Sequence, residues 1–118
     1  MQDYLFVYGT LKRGHCRAFA LQAEQFVGVA RTAARYRLYD CGDYPALVAD
    51  PDGRSIEGEL YRISPEIYPT LDELEGVELG LYHRAEIALL APYQELTSIG
   101  YLYDRPVAKF RDCGTRWP

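Results

Sequence analysis

The chain has 118 residues, 25% of them charged, and a formal net charge of −4. That length suits a single domain spanning 1–118, and the acidic balance offers no basic field to hold a nucleic-acid backbone or an anionic membrane, so a small-molecule partner is expected. The three cysteines, Cys16, Cys41 and Cys113, are an odd number without CxxC spacing; they fit neither a disulfide framework nor a zinc site and point to free thiols in a cytoplasmic protein.

The amino terminus, MQDYLFVYG, enters a strand pattern at once, with no basic segment of the kind that opens a secretory leader, and no window reaches the length of a membrane span. Residues 4–8 carry apolar side chains on both faces of the pleat, Tyr4, Phe6 and Tyr8 on one and Leu5 and Val7 on the other, which marks an interior strand. Residues 17–25 favour a short helix. Residues 27–39 look β-like apart from an alanine-rich middle. The stretch CGDYPAL bends before a short strand at 47–49. At 50–53 the sequence DPDG reads as a turn in which Pro51 presets φ and Gly53 accepts positive φ, so residues 45–63 are expected to form a hairpin.

Ser64 and Pro65 give a helix start, as N-cap and first helical residue. Pro69 disturbs the first turn, which leaves regular helix over 68–75 and a stop at Gly76. YHRAEIALLA and LTSIGYLYDR follow as two strands, and residues after Pro106 are a weakly specified tail outside a core of about 4–105. Several strands with two short helices between them make an α+β domain with a curved or closed sheet.

Two stretches carry possible chemistry. In FVYGTLKRG, Gly9 and Gly14 have the spacing of a phosphate loop, but His15 and Cys16 stand where the loop needs Lys and Ser or Thr. What remains is a strand end turning at a glycine, either an ordinary turn or a concavity of backbone N–H groups that holds an anion such as a carboxylate. Gly9 is expected there for positive φ or for close approach of a ligand. In LDELEGV, helical spacing puts Glu75 on the apolar arc of Ile67, Leu71 and Leu74, with Asp72 and Glu73 turned towards solvent. An inward carboxylate is paired, hydrogen-bonded or raised in pKa, and a raised one makes a general base near neutral pH. The alternative for Glu75 is an ion pair with Arg84 or another base.

Other residues weigh less. His15 and Cys16 are sequence neighbours that seldom face each other on a helix, and packing accounts for both. His83 and Arg84 fall on opposite faces of a strand. Two histidines without HExxH spacing make a metal centre improbable, and no cofactor motif is present. Eleven tyrosines fit a β-rich core with polar tips at its rim; a polar cavity lined by their hydroxyls is the sharper reading.

The order FVYGTLKRG, GDYPAL, IEGELYRI, LDELEGVELGLYHR and IGYLYDR, over about residues 4–105, resembles the γ-glutamylcyclotransferase-like family, in particular its small branch of γ-glutamylamine cyclotransferases and bacterial relatives. The resemblance implies a small mixed β-barrel with short flanking helices and no cofactor. It implies that Tyr8, Gly9, Thr10 and Leu11 form the loop whose amides hold the α-carboxylate of a γ-glutamyl group, and that Glu75 is the catalytic glutamate. Tyr82 and Tyr103 match tyrosines around the cavity, and Tyr44 and Pro45 a segment near its mouth. The implied reaction converts a γ-glutamyl amide or amine into 5-oxoproline and the released amine. The small-branch motif favours γ-glutamylamines such as the lysine side-chain isopeptide, while residues 77–81, the strand after Pro92 and the tail lie on the leaving-group side, where family members differ. A protein that uses the same loop and cavity to bind a small metabolite without turnover is the alternative.

Overall fold

The computed structural model describes residues 3–118, which form eight strands, one α-helix and three 3-10 helices. Five strands, β1 (Asp3–Val7), β2 (Gln25–Arg31), β5 (Glu57–Ile63), β6 (Tyr82–Ile87) and β7 (Ser98–Tyr103), make one sheet in the order β2-β5-β1-β7-β6. Three more, β3 (Tyr36–Asp40), β4 (Pro45–Ala49) and β8 (Arg111–Asp112), make a second in the order β4-β3-β8. The helix α1 spans Tyr68–Leu74.

β1 is the middle strand of the larger sheet, antiparallel to β5 with Leu5 opposite Tyr61, and parallel to β7 with Leu5 opposite Ile99. Its apolar residues on both faces explain that place. Leu5 and Val7 pack with Leu21, Ile63 and Leu71 on the helical side, and Phe6 and Tyr8 pack with Leu38, Leu47 and Leu60 on the side of the small sheet. A strand buried on both faces needs apolar residues at every position.

The large sheet curls until its two edges meet at one end. There Leu90 N–H donates to the Arg31 carbonyl and Ala33 N–H to the Ala88 carbonyl, both at 2.8 Å, around the single bridge between Thr32 and Leu89. The α+β class and the curved sheet are as expected, but the strands do not close into one continuous barrel. They remain two sheets.

Local patterning misplaced one pairing, the 45–63 hairpin, and overextended the 17–25 helix, while the alanine-rich middle of 27–39 marks a break. The 27–39 stretch breaks at residues 32–35, and its halves, β2 and β3, enter different sheets. The 45–63 hairpin does not form: β4 pairs with β3, whereas β5 pairs with β1 and β2. The turn itself is present, with Gly53 N–H on the Asp50 carbonyl and Asp52 N–H on Asp50 Oδ1, both at 2.9 Å, but it carries the chain from one sheet to the other. Gly53 has no positive φ; a Cβ there would lie 2.4 Å from the Tyr36 carbonyl oxygen. Alternation tells which face a residue takes and leaves open which strand lies beside it. The 17–25 helix contracts to a 3-10 turn at Ala18–Leu21, because Gln25 is already paired with Arg62 in β2.

The region around α1 follows its punctuation. Pro65–Ile67 form a 3-10 turn before the helix, Glu75 is its C-cap, and Gly76 ends it at φ +67°. The tail beyond Pro106 is tied down at several points: Tyr39 stands opposite Asp112, Cys113 N–H donates to the Leu38 carbonyl, and Glu57 N–H donates to the Thr115 carbonyl at 2.7 Å. All three cysteines are free thiols. Among the described residues, no helix is long and apolar enough to cross a membrane.

Candidate functional site

β1 ends at Val7, and the chain turns through residues 8–11 along the wall of a narrow cavity that opens to solvent. Glu75 faces the same cavity from the end of α1, Tyr44 and Pro45 from the start of β4, Tyr82 from β6 and Tyr101 from β7. The structure therefore brings Tyr8, Gly9, Thr10, Leu11, Tyr44, Tyr82 and Glu75 to one place. Tyr103 is not part of the wall: its ring meets Tyr82 edge-on at 5.1 Å and lies tilted 6.5 Å from Tyr44, both of which are.

The loop is shaped by a few contacts. Lys12 N–H donates to the Gly9 carbonyl at 2.9 Å and Arg17 N–H to the Thr10 carbonyl at 2.8 Å, while the N–H groups of Gly9, Thr10 and Leu11 find no backbone acceptor among the described residues. Gly9 does not have positive φ; a Cβ added there would sit 2.4 Å from Pro45 Cγ. The close neighbour that requires glycine is a proline of the protein, not a ligand.

Glu75 is held inward because its N–H continues the helix onto the Leu71 carbonyl at 2.9 Å, one residue before the chain turns away at Gly76. Its side chain is 13% exposed. The nearest cation is Arg17, 4.0 Å from Oε2, and Arg17 spends its own hydrogen bond on the Leu74 carbonyl at 2.5 Å. Burial, opposed only by Arg17, pushes the carboxyl up to about 7 from an ordinary 4.5. Arg84 is not its partner. Arg84 lies 3.2 Å from Asp72 Oδ1 and over the Tyr68 ring, and Asp72 also accepts the Tyr101 hydroxyl at 2.6 Å. Asp72 is thus engaged with the protein rather than turned to solvent.

The hydroxyls of Tyr8, Tyr82 and Tyr101 are equally committed. Tyr8 Oη donates to the Tyr101 carbonyl and Tyr82 Oη to the Pro45 carbonyl, each at 2.6 Å. Burial raises the phenols of Tyr8, Tyr82 and Tyr101, with the negative charge of Asp72 adding to the effect at Tyr101. These groups hold their protons at any ordinary pH. Among the described residues no cluster of His, Cys, Asp or Glu is arranged to hold a metal ion.

Sequence reasoning missed Tyr101 and Arg17. Alternation places Tyr101 on the same face as Tyr103, and its position opposite Arg84 sets it beside α1. The signal for Tyr101 was present but favoured neither tyrosine. Arg17 comes from a distant turn, and nothing local marked it.

A curled sheet wrapped around one buried carboxylate and one glycine loop defines a small α+β pocket protein. Protein ytfP of Escherichia coli, known from a solution NMR structure, shares this architecture: 31% identity, a TM-score of 0.71, and coverage of 97% of this chain and 95% of that one. The chain belongs to the family described as "Gamma-glutamyl cyclotransferase, AIG2-like", which it matches over residues 5–117. A Vibrio cholerae relative that bears a provisional gamma-glutamylcyclotransferase name is 37% identical over 110 residues, 88% of this chain and 93% of its own length. Gamma-glutamylaminecyclotransferase A of Danio rerio is 35% identical over 94 residues, 72% of this chain but only 57% of its own length.

Proposed function

We propose that the protein is a cofactor-independent cyclotransferase that converts a γ-glutamyl amide into 5-oxoproline and a free amine, with Glu75 as general acid and base. One observation carries this reading: a nearly buried carboxylate with a pKa of about 7 shares a small cavity with a loop whose N–H groups have no backbone acceptor. The names of relatives in the same family support it.

The substrate supplies the nucleophile. Its α-nitrogen attacks its own γ-carbonyl carbon, a C–N bond forms to close the five-membered lactam, and the C–N bond to the departing amine breaks. The α-ammonium has no lone pair until it loses a proton, and Glu75 in its ionised form takes it. Two protons leave that nitrogen during the reaction, and Glu75 passes them to the departing nitrogen, which leaves as an ammonium. No water is consumed. Holding the α-carboxylate on the 9–11 loop sets the amine against the carbonyl, an intramolecular advantage worth several kcal/mol. Tyr8, Tyr82 and Tyr101 spend their hydroxyl protons on protein acceptors, so the donor for the γ-carbonyl oxygen, as charge develops there, comes from a loop N–H not engaged by the carboxylate or from the Thr10 or Tyr44 hydroxyl.

The test is incubation with a panel of γ-glutamylamines, including the lysine side-chain isopeptide, and γ-glutamyl amino acids, with lactam formation followed by mass spectrometry. Release of 5-oxoproline is expected, together with rejection of N-acylated analogues, which have no amine free to cyclise. Binding without turnover across the whole panel would replace the enzyme with a metabolite-binding protein.

A further inference from the structure

The 9–11 loop has a second side. Behind it, away from the cavity, Lys12 lines a separate polar cleft with Arg13, His15, Glu57, Glu59 and Arg116. Lys12 is only 7% exposed. Its Nζ donates to the Trp117 main-chain carbonyl at 2.6 Å, and among the described residues no carboxylate lies within ion-pairing distance of it. Glu59 is paired with Arg13, and Glu57 with Arg31 and Arg116. The Trp117 carbonyl is its one direct acceptor, with the Glu57 and Glu59 charges farther off and already paired, and a buried cation held in this way is costly unless something nearby gains from its charge.

The residues around Lys12 show where that gain falls. Trp117 lies 5.4 Å from the His15 ring, and a Cβ at Gly9 would be 3.8 Å from the Trp117 indole. Together with the Thr115 carbonyl on Glu57 N–H, these contacts seat the C-terminal segment against the back of the loop. The ammonium is therefore tethered on the residue that follows Gly9, Thr10 and Leu11 in the chain, the three loop residues that line the cavity and whose N–H groups have no backbone acceptor among the described residues. A positive charge seated behind a short loop of N–H donors, on the residue that continues it, acts on them across the loop and favours an anion on the far side, and burial protects it from screening.

We propose that Lys12 is a positioning residue of the glutamyl-binding half of the site: tethered by the Trp117 carbonyl, it sets the 9–11 loop and gives it a preference for a carboxylate over a neutral group. This rests on the reading of the loop given above. Lys12 acts through the loop and touches no reacting atom.

The test measures binding of 5-oxoproline and of its neutral carboxamide to the parent, to Lys12→Met and to Lys12→Arg, by calorimetric titration, with melting curves for each. The parent is expected to prefer the acid. Lys12→Met is expected to lose about tenfold of that preference while binding the carboxamide as before, and Lys12→Arg to recover most of it. A structural role alone would weaken both ligands alike. Equal weakening of both, an unchanged preference in Lys12→Met, or no preference in the parent would overturn the proposal. The result is separable from turnover: a parent that binds the acid through Lys12 without cyclising any γ-glutamyl compound removes the enzyme reading and keeps this one.

Discussion

Asp72 and Glu75 stand about one turn apart at the end of the same short helix, and the two sides of α1 treat a carboxylate in opposite ways. Asp72 faces β6 and β7, where Arg84 and the Tyr101 hydroxyl meet it at 3.2 and 2.6 Å. Glu75 faces the cavity, has one cation at 4.0 Å, and is pushed up to about 7 by burial. The difference is one of depth and partners together: Glu75 is the more buried, at 13% exposure against 24%, and has the fewer donors. A carboxylate given donors holds the helix in place; a carboxylate denied them is left able to exchange a proton near neutral pH.

The largest way to break this contrast is Glu75→Gln, which keeps the shape and removes the proton acceptor. Turnover is expected to fall by about 10²–10⁴-fold, as measured by 5-oxoproline release, while calorimetry shows ligand binding retained. Activity within a few-fold of the parent would take Glu75 out of the mechanism.

Stability against pH is the next measure. The folded-state value of Glu75 lies above its ordinary one, so the native protein keeps a proton that the unfolded chain releases. That contribution is whole below pH 4.5 and is lost as pH rises through about 7. It amounts to about 3 kcal/mol by linkage. Denaturant melts from pH 4 to 8 should show the decline in the parent and a flatter curve in Glu75→Gln. The acid limb of kcat/KM should have its midpoint near 7, since the ionised form acts as base.

Asp72→Ala sharpens the contrast from the other side. It leaves the buried Tyr101 hydroxyl and Arg84 without their acceptor, and should cost about 1–3 kcal/mol in a denaturant melt. Turnover should fall through misplacement of Glu75, with the midpoint of the acid limb left where it was. A shifted midpoint would mean that the Asp72 side chain acts on Glu75 directly, against the causes assigned to its raised value, burial opposed by Arg17.

The smallest effect is expected from Arg17→Met. Arg17 is the one charge that lowers the Glu75 value, and it is partly exposed. Its removal should move the acid limb of kcat/KM upward by a fraction of a unit. A downward movement would contradict the assigned cause.

What the sequence disclosed follows the range over which each signal acts. β1 and α1 were legible because alternation, Pro65 and Gly76 work within a few residues, and the same helical spacing turned Glu75 inward. Tyr8, Tyr44 and Tyr82 reached the cavity as the family resemblance implied, whereas Tyr103 lies beside its wall and Tyr101 in it, since two residues along one face of a strand are alike in pattern and differ only in what lies opposite. The partners of β4 and β5, the Pro45 ring that demands Gly9, the Arg17 guanidinium near Glu75 and the Trp117 carbonyl on Lys12 all come from chain distant in sequence. No local pattern carries that information.

The order of strands in the large sheet bears on how the protein is made. β1 precedes both of its neighbours in the chain: β5 follows 56 residues later by the Leu5–Tyr61 register, and β7 later still. Until β7 emerges, one edge of β1 is unpaired and both of its apolar faces lack their cover, so a nascent chain stopped short of residue 98 presents a sticky strand and an incomplete cavity. Loop closure over such separations is slow compared with forming a local helix or hairpin. Truncated products of this chain are therefore expected to be clients of holdase chaperones and proteases, and binding of a γ-glutamyl ligand to arise only late in synthesis, once β7 has slotted in beside β1.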